Sequence, residues 1–491
     1  METLVQTKSG LVKGTQQDGL NTWFGIPFAQ APVGNLRFKR AQPVEPWTDT
    51  LVTDHHGNKP YQFYGQSKTP EKESEDALTL SIWRPDTEQK NLPVFVYIYG
   101  GGYSMGELSD SGYDGANFAR NDVIYVGFNY RIGVLGFYDF SMFDDSFETN
   151  AGLSDQIMAL KWIKENIAAF GGDPEMITID GESAGGSSVV NLLATPQAKG
   201  LFNQAIAQSA LPDAVHTHDS IKPLMAIFLK QLNLTPESVG QLKQMPAEEM
   251  MSAAQYLYAN TTKWQPGYYM PAPVIDDLLP ERPLDAIENG SAADVKLIIG
   301  TMQNEGHMIA KMVKIMPDNW ADAQKMFALN QLDDRFDGMK NYYSHHARGE
   351  KNQVSDLITD RVFRNDSIAV AQSQSKYQST WMYEIDYAPI MAKLFGLGAT
   401  HALDVPLVLD TLGQDQTQLF WRLTPRKNKE QMRDQLNSMW LNFVKTGNPG
   451  QTWPQYTAQK RDVYFFNQQS KVISKPYDDV MALWQGIHLY R

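Results

Sequence analysis

Short apolar runs alternate along this chain with stretches of helical periodicity, the pattern of a sheet whose strands are joined by crossover helices. The clearest predicted strands are VFVYIY (94–99), VIYVGFN (123–129), MITID (176–180), VKLIIG (295–300) and WMYEID (381–386). Between the second and third, DQIMALKWIKENIAAF (155–170) puts Ile157, Met158, Leu160, Trp162, Ile163 and Ile167 on one stripe, which predicts a buried helix. From roughly 215 to 370 the segments turn helix-like and methionine-bearing. They predict an inserted helical layer over the sheet's C-terminal edge, where open α/β sheets bind ligands. No repeat, low-complexity tract or Gly/Ser linker divides the chain, so 1–491 reads as one α/β unit: a central, mostly parallel sheet flanked by helices.

Composition narrows the functions. A formal charge of −13 opposes contact with phosphate backbones, so no nucleic-acid partner is expected. The same charge serves solubility or draws a cationic substrate. With no cysteine, disulfides, thiolate catalysis, cysteine zinc sites and iron–sulfur clusters are all excluded. The opening METLVQTKSGLVKG lacks a basic segment followed by an apolar one, and no run of about 18 apolar residues is present for a membrane span. A cytoplasmic location is the expectation. Monomer and homo-oligomer are equally compatible with the sequence.

Two glycine-rich turns carry candidate chemistry. MITID runs into Gly181-Glu182-Ser183-Ala184-Gly185-Gly186 and then a helical stretch. Gly-x-Ser-x-Gly alone is a weak pattern, and a serine capping a helix would look similar. Between a strand and a helix, however, it fits a nucleophile held on a tight turn, with flanking glycines admitting neighbouring backbone. After the 94–99 strand comes Gly100-Gly101-Gly102-Tyr103. No Gly-Lys-Ser/Thr follows, so a phosphate loop is excluded. The remaining readings are a flexible turn or an oxyanion hole built from the amides of Gly101, Gly102 and Ala184.

A nucleophilic serine needs a base, and nine histidines are available. His401, in the glycine-bearing loop GLGATHALDVP (396–406), follows the last clear strand, where the hydrolase chain order places a base. His488 reads as packing, and His55, His56, His345 and His346 read as surface residues. His216 and His218 could share one strand face, yet no third ligand of suitable spacing accompanies them, so no metal site and no cofactor are expected. VKLIIG leads into Thr301-Met302-Gln303-Asn304-Glu305-Gly306. A carboxylate just past a strand end suits the acid that orients a base, although any loop glutamate would look alike.

Read with their flanks, these motifs resemble the type-B carboxylesterase family, which includes cholinesterases and bacterial p-nitrobenzyl esterases. The resemblance spans nearly the whole chain: FGIPFAQAPVGNLRFKRAQPVEPW (24–47), EDALTL (75–80), NYRIGVLGF (129–137), FGGDPEMITIDGESAGG (170–186), WLNFVKTGNP (440–449) and WPQY (453–456). It implies an α/β-hydrolase fold and ester hydrolysis on a small-molecule substrate. Ser183 would be the nucleophile, Glu305 the acid and His401 the base, with Gly101, Gly102 and Ala184 as the oxyanion hole. It also implies ion pairs Arg37–Glu75 and Arg131–Asp155, and a supporting, hydrogen-bonded role for Ser209 near the triad. Glu182 reads as a buried hydrogen-bonding spacer or as a source of negative potential beside the base. Tyr103, Met105, Leu211, Tyr268, Tyr269 and Met270 are candidates for the substrate pocket by their nearness to the motifs, or else simple packing. The sequence departs from the family at Ala77, where a disulfide cysteine is common, and at Ala402, where glycine is common; the second should alter packing beside the base. Amidase or lipase activity, or a non-catalytic binding protein on this scaffold, are the alternative functions.

Overall fold

The structure, a computed structural model, describes residues 3–63, 69–267, 271–313, 315–414 and 417–487. In chain order its strands are β1 (Leu4–Gln6), β2 (Leu11–Lys13), β3 (Thr15–Gln17), β4 (Leu20–Pro27), β5 (Leu51–Val52), β6 (Thr79–Pro85) and β7 (Leu92–Ile98). There follow β8 (Ile124–Phe128), β9 (Gly172–Glu182), β10 (Gln204–Gln208), β11 (Lys296–Met302), β12 (Thr380–Ile385), β13 (Asp462–Phe466) and β14 (Lys471–Ser474). Among the described residues, β1, β2 and β5 form a small separate sheet, and the other eleven form one large sheet in the order β14-β13-β12-β11-β10-β9-β7-β8-β6-β4-β3. The strands from β13 to β8 in that order run parallel, while β6, β4 and β3 on one flank and β14 on the other are antiparallel. This is the α/β-hydrolase fold expected.

All five strands expected from the apolar runs are present, as β7, β8, β9, β11 and β12. The residues of β8, β10 and β12 are buried throughout, because helices cover both faces of a parallel sheet. The expected helix is Ala151–Asn166, with a 3₁₀ turn Ile167–Phe170 completing it. It starts earlier than its apolar stripe because Asn150 exchanges two hydrogen bonds with the backbone of Val274 and fixes the entry of the chain. Of the stripe, Met158 alone is only half-buried. The stretch from 215 to 370 is helical apart from β11, and its side chains form two apolar clusters beside the main core. No helix among the described residues is long and apolar enough to cross a membrane.

The chain order reverses at β7: β8 lies on one side of it and β9 on the other. Such a reversal opens a crevice at the C-terminal ends of the strands. The Gly100–Gly102 turn leaves β7 there, and Ser183 follows β9 there.

Two ion pairs brace this frame as the resemblance implies. Arg37 grips Glu75 through Nε and Nη2 and donates from Nη1 to the carbonyls of Leu242, Lys243 and Met245. Arg131 meets Asp155 in a bidentate pair at 2.8 and 2.6 Å, both side chains buried. Burial pushes the Asp155 carboxyl up despite the guanidinium beside it, and a buried pair of this kind adds little net stability over an apolar replacement. Removing one partner should still be costly, since it strands the other. Arg131→Met should lower stability by about 3–5 kcal/mol in urea titrations, and the apolar double variant Arg131→Met/Asp155→Leu should recover most of that loss.

Candidate active site

Ser183 stands between the last residue of β9 and the first of the helix Ala184–Ala194, with φ 60° and ψ −123°. A serine avoids that left-handed φ unless its surroundings impose it. Here its N–H donates to the carbonyl of Gln208 at 3.0 Å, and its carbonyl accepts from the Ser187 N–H at 2.8 Å and the Ser187 hydroxyl at 3.0 Å. The glycines around it are required by close approach. A Cβ on Gly185 would lie 2.0 Å from the Ile98 carbonyl oxygen, and one on Gly181 would lie 2.4 Å from the Gly185 carbonyl carbon.

The Gly100–Gly102 turn is wedged against the same elbow. A Cβ on Gly100 would sit 2.5 Å from the Glu182 carbonyl oxygen and 3.0 Å from Ser183 Cβ. Gly101 and Gly102 both take positive φ, and the Gly101 carbonyl is tied back by the N–H groups of Ser104 and Met105, each at 3.1 Å. No acceptor among the described residues engages the amides of Gly101, Gly102 or Ala184. Ala184 opens an eleven-residue helix, so the positive end of its dipole faces the serine.

His401 joins these elements to the far side of the sheet. Its Nε2 lies 2.8 Å from Ser183 Oγ, and its Nδ1 lies 2.6 Å from Glu305 Oε2. Glu305 follows β11, and its other oxygen accepts the Met302 N–H at 2.7 Å, which fixes the carboxylate's rotation. All three residues are buried, with exposures of 8 % at Ser183, 6 % at His401 and 0 % at Glu305.

Residues the motifs did not single out hold the two loops together. The Asn304 N–H donates to the Ala399 carbonyl at 2.8 Å, and the Ala399 N–H donates back to the Asn304 side-chain oxygen at 3.1 Å. The Met308 N–H donates to the Thr400 hydroxyl at 3.1 Å. Phe363 lays its ring 5.1 Å from the His401 ring centre. Ala402, the position the resemblance marked as a departure, takes φ 64°, a left-handed conformation that strains an alanine backbone.

Besides Glu305, two further carboxyl groups, Glu182 and Asp404, bear on the imidazole. Glu182 Oε1 comes within 3.4 Å of His401 Nε2. That oxygen makes no hydrogen bond, and its charge acts on the imidazole through space. Asp404 accepts from the Gln208 amide at 2.8 Å, and Asp180 lies beyond it. Burial pulls the His401 imidazole down, but the charges of Glu182 and Glu305 more than reverse this. Burial likewise pushes Glu182 up, against the pull of His401. A proton on either one relieves the other, so the two titrate as a unit. Burial, with Glu305 adding, lifts Asp404 to about 6.

The other residues of interest in the sequence take varied places in the fold. Ser209 is fully buried, with φ 48°, and its N–H donates to the Gly300 carbonyl at 2.9 Å. Tyr103 is core: its ring packs on Phe137, and its hydroxyl meets Ser188 at 3.1 Å and the Asn191 amide at 3.3 Å. Met105 is half-buried, beside the glycine turn. Leu211 is buried in the apolar cluster that holds Ile309 and Phe363. Tyr268, Tyr269, Met270 and His488 lie outside the described residues. His56 is stacked on Phe24 at 4.4 Å rather than solvated, and His218 begins the helix His218–Gln231, bonded to Asp139 at 2.6 Å, rather than sharing a strand face with His216. His345 and His346 are exposed, as expected.

A serine hydroxyl, an imidazole and a carboxylate in line can generate a nucleophile at neutral pH. Comparison with known proteins agrees with that chemistry: the model of the Carboxylesterase family matches residues 1–484. The chain belongs to that family. The esterase is 36% identical over 486 residues to the para-nitrobenzyl esterase of Bacillus subtilis, covering 96% of each chain. It is 28% identical to the phenmedipham hydrolase of Pseudarthrobacter oxydans, covering 93% of each. A solved p-nitrobenzyl (PNB) esterase superposes with a TM-score of 0.88 at 33% identity, over 98% of this chain and 99% of that one. A Geobacillus stearothermophilus carboxylesterase does so with a TM-score of 0.85 at 31% identity, over 99% and 100%. The protein is therefore a carboxylesterase, hydrolysing carboxylic esters by a serine-hydrolase mechanism.

The packing at the elbow sets a stability expectation. Gly185→Ala should destabilise the esterase by about 1–3 kcal/mol or more through overpacking. Gly338→Ala, in open space on the helix Asp333–His346, should stabilise it by up to about 1 kcal/mol. Thermal unfolding of both variants checks the contrast.

Proposed function

We propose that Ser183 is the nucleophile, His401 the general base and acid, and Glu305 the carboxylate that orients and charges the imidazole. The observation that carries this is the continuous pair of contacts, 2.8 Å from Ser183 Oγ to His401 Nε2 and 2.6 Å from His401 Nδ1 to Glu305 Oε2. His401 Nε2 takes the hydroxyl proton as Ser183 Oγ attacks the acyl carbon. The negative oxygen of the tetrahedral intermediate is held by the amides of Gly101, Gly102 and Ala184. His401 then gives its proton to the departing alcohol, leaving an acyl ester on Ser183. In the second half His401 deprotonates water, water attacks the acyl carbon, and Ser183 leaves with the proton from His401.

The substrate we propose is a small, uncharged ester of the kind the para-nitrobenzyl esterases are named for. The support is the set of carboxyl groups around His401, those of Glu182, Glu305 and Asp404, which would repel an anionic ester. With p-nitrophenyl esters, Ser183→Ala should lower kcat by about 10⁵-fold or more, and an organophosphate should titrate one serine per chain. Near-normal turnover in the variant would refute the assignment.

The electrostatics give a signed pH expectation. The base works only when neutral, so kcat/KM should rise as pH rises through the pKa of His401. Glu182→Gln removes the anion nearest Nε2 and so favours the neutral imidazole. The acid limb should move to lower pH by about one unit, and a limb that stays in place would refute the electrostatic role of Glu182.

A further inference from the structure

We infer that the π-helical turn Thr359–Arg364 is a positioning element for the acid and the base, acting through Thr359, Phe363 and Arg364. The inference rests on the assignment of Glu305 and His401 proposed above. Three contacts from these six residues bracket those two groups. The Thr359 hydroxyl accepts the N–H of Gly306, immediately after the acid, at 2.9 Å. Arg364 Nη2 donates to the carbonyl of Gln303, two residues before the acid, at 2.8 Å. Phe363 packs its buried ring against the His401 imidazole.

The wide turn is what allows this. In an α-helix, residues five apart point about 140° away from each other, because each residue turns the chain by about 100°. Closing the turn between residues five apart brings them nearly into line. Thr359 and Arg364 then address the same loop, with Phe363 between them. Gly306 fits this contact because it has no side chain: a Cβ there would lie 2.3 Å from the Ser355 carbonyl oxygen and 3.0 Å from the Thr359 nitrogen.

The turn is anchored on its other side by buried charge. Arg364 pairs with Asp360 and, at 3.1 Å, with Glu384 on β12, and its guanidinium lies 4.7 Å over the Tyr477 ring. Asp360 also accepts from the Tyr343 hydroxyl at 2.8 Å, which in turn accepts from the Trp484 indole at 2.8 Å. The turn is thus fixed to the sheet and to the helix Asp478–Trp484, and it passes that rigidity to the loop bearing Glu305.

The test uses Thr359→Val, which keeps the shape and loses the acceptor, with Thr359→Ser as the rescue and Phe363→Leu as an independent probe of the ring contact. Turnover is expressed per serine titrated by an organophosphate, so misfolded enzyme does not count. Thr359→Val and Phe363→Leu should each lower kcat about tenfold with KM nearly unchanged, and Thr359→Ser should restore most of it. Full titration with normal kcat in both Thr359→Val and Phe363→Leu, whatever happens to the melting temperature, would overturn this inference alone. A wild-type enzyme that an organophosphate does not label at Ser183 would overturn the underlying assignment and this inference with it.

Discussion

The arrangement depends on a hydrogen bond made out of reach of water, between His401 Nδ1 and Glu305 Oε2 at 2.6 Å. An exposed carboxylate and imidazole would gain little from each other, because solvent screens the pair and satisfies each group separately. Buried, the carboxylate has few partners, and its geometry is dictated by them. Glu305 spends one oxygen on the Met302 N–H and the other on the imidazole, which leaves the ring one orientation and points Nε2 at Ser183. The serine can meet it only because β9, β10 and the glycine turn after β7 clamp the elbow at a φ that serine does not choose. Strain at Ser183, close-packed glycines and the buried acid are therefore parts of one constraint.

Much of this was legible in the sequence, for physical reasons. The five strands read directly were those with dense β-branched and aromatic residues. By contrast β10, QAIAQ, lies in the middle of the parallel array yet has alanines and glutamines where a reader expects valine and isoleucine. Its low β-propensity is overridden by tertiary packing. At the site, Ser183 and Glu305 could be found because each follows a strand in a glycine-marked turn, and His401 because it lies in a glycine-bearing loop after the last of the clear strands, in an order that the fold constrains.

The residues that support them left no such mark. Phe363 and Thr359 belong to a helical stretch whose apolar and polar positions look like any amphipathic surface. Their meaning comes from one extra residue in a turn, and hydrophobic periodicity does not register that. Asn304 and Thr400 are single polar residues in loops, made important only because the loops lie side by side. For Tyr103, nearness to the glycine turn left pocket wall and simple packing both open, and its buried ring against Phe137 is packing.

Among the described residues, no lysine or arginine forms an ion pair with Glu182, Glu305 or Asp404, so His401 is the cationic partner these carboxyls have. In a dry site, that makes the position of protons decide the charge. A fixed arginine would hold the carboxylates ionised but would also stabilise the resting site as strongly as any later state. An imidazole acquires its charge only when it takes a proton from the serine or from water. The surrounding carboxyls then stabilise a cation that exists fully only as the reaction proceeds, and a catalyst gains from that difference between states. The burial that makes Glu182 and Asp404 reluctant to ionise limits how far they can favour the imidazolium beforehand. Crowding carboxyls around one titratable base thus sets a balance that tips toward the imidazolium, because their field outweighs the burial that opposes it.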